Sequence, residues 1–496
     1  MTTSPAHPAI VDGASRADSA VRSDTDLLRT VVIVAGIAWS VAFVVIGLRY
    51  ELQLYGDGAM FSYSVAVQDA WAFHWHNISG RSTVYLLSLL PAEAYVGLTA
   101  DPIGGIVVYG LLFFAAPLLG LLATFAADRS SGRIIFSYAC FSIACLCPLV
   151  FGFPTEMWLA HALFWPALAV CHYARRNMRG TALVFAMLLA LIFTHEGALV
   201  LAVAIVVTLL LRGLRDTTFL RAAGALLAAI AVWAAVKVAL PPGAYFAAVY
   251  VRAALHFFDI RTLTGDVVLL LAGAIVGYGI LFLALMRFAP SRAHLYAALV
   301  VAATLVIYWL QLDHALHASD RYYLRTALVI ATPVLGMLAA VHALGAEYRL
   351  TFPLPLLPDV IAALKSRAAA RAVAGGFLLV MLVHTAETAK FVTAWTNYKS
   401  AVLALAKGTA SDPTLGDPHF VSSSRIGPDL NRLSWFSTTQ YLSVIVAKFE
   451  PTRLVVDPTA NYFWLSCETA TANFEADHAV PAESRRLVRV HACLHR

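Results

Sequence analysis

The chain has 496 residues, of which 60% are apolar and only 13% charged, and its mean hydropathy is +0.75. That balance excludes an ordinary soluble globular protein and fits a polytopic membrane protein. The net charge of +6 and pI near 9.0 raise nucleic-acid binding, but the arginines sit in short loops between apolar runs rather than in a basic stripe beside aromatics, so no nucleic-acid partner is expected.

Residues 1–29 are rich in Ser, Ala, Thr and Asp and read as a disordered cytoplasmic tail. The run Thr30 to Leu48 is too long for a signal-peptide core and reads as an anchor. A more polar external segment, 49–102, opens on Tyr55-Gly-Asp-Gly-Ala-Met-Phe61, with Asp57 between two glycines where backbone can approach a ligand. Within that segment Met60, Ser64, Val67, Trp71 and Trp75 recur at helical spacing, which predicts an interfacial helix.

Ten further spans are predicted at about 103–126, 134–151, 157–171, 181–193, 198–211, 222–240, 267–286, 295–312, 327–344 and 372–389. The expected fold is therefore an all-α polytopic membrane protein with about eleven transmembrane helices between residues 30 and 389. Loops on one side carry about seventeen Lys/Arg and those on the other about six, which places the N-terminus in the cytoplasm and the tail, 390–496, outside. Short strand patterns at Arg453–Asp457 and Leu487–Leu494 make that tail a small external α/β domain. Cys140, Cys145, Cys147 and Cys171 fall in apolar runs and act as small hydrophobes, whereas Cys467 and Cys493 would pair as a disulfide in an oxidising compartment.

Ionisable groups at a membrane are costly, which makes them functional candidates. Glu156 lies in the tight turn Phe153-Pro-Thr-Glu-Met157, where it is either solvated or functional. His195-Glu196 interrupts an apolar stretch at what is either a wet hairpin tip or a site. Lys237 either snorkels to the interface or binds phosphate. Arg321 and Arg325, four residues apart, share one face if their segment is helical, and two guanidinium forks match a phosphate or diphosphate.

The layout resembles the GT-C superfamily of membrane glycosyltransferases, which includes protein O-mannosyltransferases and the aminoarabinose transferases of lipid A. In that superfamily an acidic residue follows the first span at the start of a long external loop, and a second long external loop follows the seventh span. Asp57 and the stretch Pro241–Asp266 stand at those places, and the resemblance covers about the first 290 residues. It implies an inverting transfer from a polyprenyl-phosphate sugar donor to a lipid or glycan acceptor, in a bacterial inner membrane with the C-terminal domain periplasmic. Asp57 would remove the acceptor proton; Arg321, Arg325, Arg81, Arg252 and Lys237 would stabilise the departing phosphate, and Glu156 and Glu196 would line the acceptor side. Gly58 stands where many members carry a second acid, so no metal ligands are assigned and a divalent metal stays open. The rival readings are a polysaccharide polymerase or ligase and a lipid-linked-sugar transporter or flippase.

Overall fold

The computed structural model describes residues 11–68, 70, 81–240, 325–348, 367–409, 420–435, 438–450 and 452–456, with a few positions between 251 and 303. Arg252, Arg321, Cys467 and Cys493 lie outside the described residues, as do most of the two spans predicted between 267 and 312.

Helix α1, Val11–Arg49, begins well before the first predicted span. The segment expected to be disordered is thus helical from Val11, because the apolar run behind it supplies the nucleus and Ala, Arg, Ser and Asp do not break propagation. A 3-10 turn, Leu52–Leu54, leads into α2, Asp57–Ala66. The predicted interfacial helix does not run through as one piece: α2 stops at Ala66, and Gln68 turns the chain with φ of 57°. Most of α2 is buried against protein.

The chain resumes with Ser82–Val84, widens into a π-turn at Tyr85–Leu89 and continues as α3, Leu90–Thr99. The bundle follows: α4, Pro102–Ala127; α5, Ile134–Val150; α6, Glu156–Tyr173; α7, Met178–Ile192; α8, Ala198–Thr208; and α9, Thr217–Ala239. Asp101, Thr155, Asn177 and Asp216 accept hydrogen bonds from the first turns of α4, α6, α7 and α9. Side chains that satisfy orphan backbone N–H groups therefore fix four helix starts. After the intervening segment come α10, Arg325–Tyr348, and α11, Arg367–Lys407.

Five described helical stretches are long and apolar enough to cross a membrane: Leu27–Arg49, Pro102–Ala127, Thr217–Ala239, Leu328–Gly345 and Val373–Lys407. Three shorter apolar helices, Ile134–Val150, Met178–Ile192 and Ala198–Arg212, coincide with predicted spans. The long ones present large apolar side chains outwards, among them Val34, Val41, Leu111, Leu122, Leu227 and Leu382. Bare apolar faces of this kind fit a lipid surround. Helix α6 is the opposite case, buried on nearly every side from Glu156 to His172, and it forms the centre of the bundle.

Hydrogen bonds mark the two ends of the bundle. At one end Arg29 bonds to Ser137, Arg221 to the carbonyl of Arg175, and Arg176 to Thr218. At the other, α11 grips the turn after α1: Trp395 Nε1 and Lys399 Nζ both donate to the Tyr50 carbonyl, at 3.0 and 2.9 Å. Helix α11 also continues to Lys407, past the predicted edge of the tail at residue 390. Beyond it, β1, Phe420–Ser422, pairs in parallel with β2, Leu454–Val456, with Phe420 opposite Leu454. The connection between the strands carries α12, Pro428–Asn431, and α13, Thr439–Val446.

Candidate active site

The two glycines around Asp57 serve packing. Gly56 has φ of +55°, and a Cβ there would meet the Phe153 ring at 2.6 Å; a Cβ on Gly58 would meet the Gln53 carbonyl oxygen at 2.2 Å and Pro154 at 2.5 Å. The room that the sequence suggested for a ligand is therefore filled by the turn Phe153–Pro154. This close approach brings Glu156, the first residue of α6, towards Asp57 at the start of α2. The Tyr55 ring sits among Phe153, Phe391 and Trp395 at centroid distances of 5.5, 5.0 and 5.2 Å and locks the loop from the other side.

Around Asp57 the structure gathers six of the other predicted groups. Arg81 Nη1 donates to Glu156 Oε1 at 2.5 Å, while Nη2 and Nε donate to Glu196 Oε2 at 2.9 and 3.3 Å. Lys237 Nζ reaches Glu196 Oε1 at 3.1 Å from the last turn of α9, with the Trp233 ring nearby. His195 precedes Glu196 in the turn before α8, and Arg325 opens α10, close enough to act on the charges of both Asp57 and His195. Residues 57, 81, 156, 195, 196, 237 and 325 thus converge from separate segments on one end of the bundle.

The electrostatics divide the acids into two kinds. Asp57 is half-buried, with protein packed closely around it. Burial first, then the charge of Glu156, push its pKa up to about 6, against the opposing effects of Trp435, Arg325 and Arg81. Burial also acts on Glu196, but Arg81 and then Lys237 outweigh it and hold that carboxyl well below the usual range. His195 Nδ1 accepts from the Gly197 backbone N–H at 2.9 Å, which leaves the proton on Nε2. Burial and then Arg81 push its pKa down to about 3, so the ring is neutral and its 4.0 Å approach to Glu196 is no ion pair.

Two contributors carried no motif. Trp435, in the turn before α13, donates from Nε1 to Asp57 Oδ1 at 2.7 Å. Tyr109 on α4 lies close enough to Asp57 and Glu156 to interact with both charges. An aromatic pair, Trp435-Phe436, in an otherwise polar stretch is the one trace that the sequence offers for the former.

A divalent cation fits this donor set poorly. Glu156 and Glu196 are engaged by Arg81 and Lys237, and Asp57 by the indole, so a metal would have to displace cations the protein itself supplies. Of the cations considered for phosphate, Arg81 and Lys237 are held in these ion pairs.

No protein-family model and no curated protein matches the chain. The functional reading therefore rests on the site's own geometry.

Proposed function

We propose that this chain is a membrane glycosyltransferase that moves a sugar from a polyprenyl-phosphate donor to an acceptor hydroxyl on the external face of a bacterial inner membrane. The observation that carries the reading is the convergence on Asp57: a half-buried aspartate whose pKa is raised to about 6, beside Arg325 and a buried ion-pair network, at one end of an apolar bundle. A base titrating just below neutrality is ionised at working pH and still strong enough to take a proton.

In the proposed step Asp57 accepts the proton of the acceptor hydroxyl as its oxygen bonds to the anomeric carbon. The bond from that carbon to the phosphate oxygen breaks, and polyprenyl phosphate leaves with the electron pair. Attack opposite the leaving group inverts the anomeric centre. Arg325, whose charge acts on Asp57, is a candidate to meet the phosphate, and Arg252 and Arg321 are further candidates from the same side by charge patterning. The arginine-rich end defined by Arg175, Arg176 and Arg221 would be cytoplasmic, which puts Asp57 outside. The tail 390–496 would then be periplasmic, with Cys467 and Cys493 able to pair there.

The test is transfer from radiolabelled polyprenyl-phosphate sugars in membranes containing the chain. Asp57→Asn is expected to abolish transfer while the protein still inserts and is no less stable to unfolding than the unsubstituted chain; transfer retained by this variant removes Asp57 from the mechanism.

A further inference from the structure

The hydrogen bond from Trp435 joins the C-terminal segment to the group read above as the base, across 378 residues of sequence. The indole is held before it meets the carboxyl. Its carbonyl accepts from the Thr438 backbone N–H at 2.9 Å and from the Thr438 hydroxyl at 3.2 Å, and its ring stands edge-on to Phe153 at 5.3 Å. The element that follows, α13, is anchored on α2 itself: Tyr441 packs on Tyr63 at 5.2 Å, and Phe449, in the turn after α13, stacks on the same ring at 6.1 Å. Asp57 is the first residue of α2, so one helix carries the carboxyl and receives the segment that bonds to it.

We infer that Trp435 is the positioning residue for Asp57, so that the C-terminal segment completes the active site. The indole N–H fixes the carboxyl plane and occupies Oδ1, which leaves Oδ2 to take the acceptor proton. Among the described residues no donor is placed on Oδ2. An N–H donated to the anion also favours the ionised form, against the burial and the Glu156 charge that disfavour it. Among the described residues, the charged and titratable groups that face Asp57 from other elements are Glu156 on α6, Tyr109 on α4, Arg81 before α3 and Arg325 on α10. None of these donates to Asp57 through a hydrogen bond among the described residues, which sets Trp435 apart from them. This inference rests on Asp57 being the base.

The experiment is an infrared pH titration of the full-length protein in detergent, with the Asp57 carboxyl band assigned by its loss in Asp57→Asn. Trp435→Phe keeps the ring against Phe153 and removes the donor; the midpoint is expected to rise by about one unit, since a hydrogen bond to a charged group is of that size. Trp435→His, which restores a ring N–H, is expected to bring it part of the way back. An unchanged midpoint in a folded Trp435→Phe protein overturns the inference. A measurement on the unsubstituted chain guards against a variant that fails to fold: tryptophan emission should change with the same midpoint as the carboxyl band and lose that change in Asp57→Asn, and emission flat across the titration also overturns it. Transfer retained by Asp57→Asn would instead remove Asp57 as the base while leaving the infrared result in place.

Discussion

The indole of Trp395 donates to the backbone carbonyl of Tyr50 at 3.0 Å and so ties the last described bundle helix to the turn from which Asp57 projects. Lys399, one turn further on, adds a bond to the same carbonyl and an ion pair to Glu51 at 2.6 Å. The backbone carbonyls at the end of α1 have no partner inside their own helix, and α11 supplies one. Trp395→Phe should therefore cost about 1 kcal/mol of stability, the usual net value of one hydrogen bond. The loop should open to protease earlier than the bundle does. Cleavage in the 49–56 turn at an unchanged rate would show that α11 does not hold it.

Arg81 bridges two carboxylates, Glu156 and Glu196, both largely buried. Removing one partner of a buried pair leaves an uncompensated charge and costs about 3–5 kcal/mol, more than the pair itself contributes. Arg81→Gln is expected to lower the unfolding temperature strongly. The double variant Arg81→Gln with Glu156→Gln should recover part of the loss, because Glu156 is the acid that loses its cation in Arg81→Gln, whereas Glu196 keeps its bond to Lys237. Additive losses in the double-variant cycle would mean that the network is not coupled.

The glycines flanking Asp57 make a graded prediction. At Gly56 the obstacle is the Phe153 ring, whereas at Gly58 it is the Gln53 backbone carbonyl, which cannot rotate aside. Gly58→Ala should therefore be the more damaging, and Gly56→Ala should be partly relieved by Phe153→Leu, within the strain that φ of +55° imposes on any side chain. Equal unfolding temperatures for the two alanine variants would contradict this packing.

How much of the site the sequence disclosed follows from the cost of charge in an apolar chain. Asp57, Glu156, Glu196 and Lys237 stood out because a charged group that persists beside a membrane needs a partner or a task. What it could not disclose was who pairs with whom. Lys237 read equally as a snorkelling or a phosphate-binding residue, and the bond to Glu196 decides neither by spacing nor by motif. Trp435 was invisible because its partner is 378 residues away and tryptophans are common in such chains. The apolar periods located most of the described helices, yet they overran at α2, where a left-handed Gln68 ends what spacing alone would have continued.

The acids of the site should leave opposite marks on stability as pH changes. The Asp57 pKa is raised from an ordinary aspartate value to about 6, so its ionisation opposes folding. The stability it permits is fully present below about pH 4, the unfolded value, and is lost as pH rises through about 6. Two units correspond to roughly 3 kcal/mol, and Asp57→Asn, which cannot ionise, should be more stable than the unsubstituted chain at pH 7 by an amount up to that order. Glu196 has the other sign: its carboxyl is held below the usual range, so its contribution is present above the unfolded carboxylate pKa and falls away as pH drops. Glu156→Gln removes one of the two influences that raise the Asp57 pKa, so the acid limb of transfer should move to lower pH even though Arg81 loses a partner, since an Arg81 freed of Glu156 acts on Asp57 in the same direction. Thermal unfolding in detergent across pH 4 to 8 separates these effects. Profiles for Asp57→Asn and the unsubstituted chain that run parallel from pH 4 to 7 would show that Asp57 does not titrate there, and the argument for it as a base poised near neutrality would go with them.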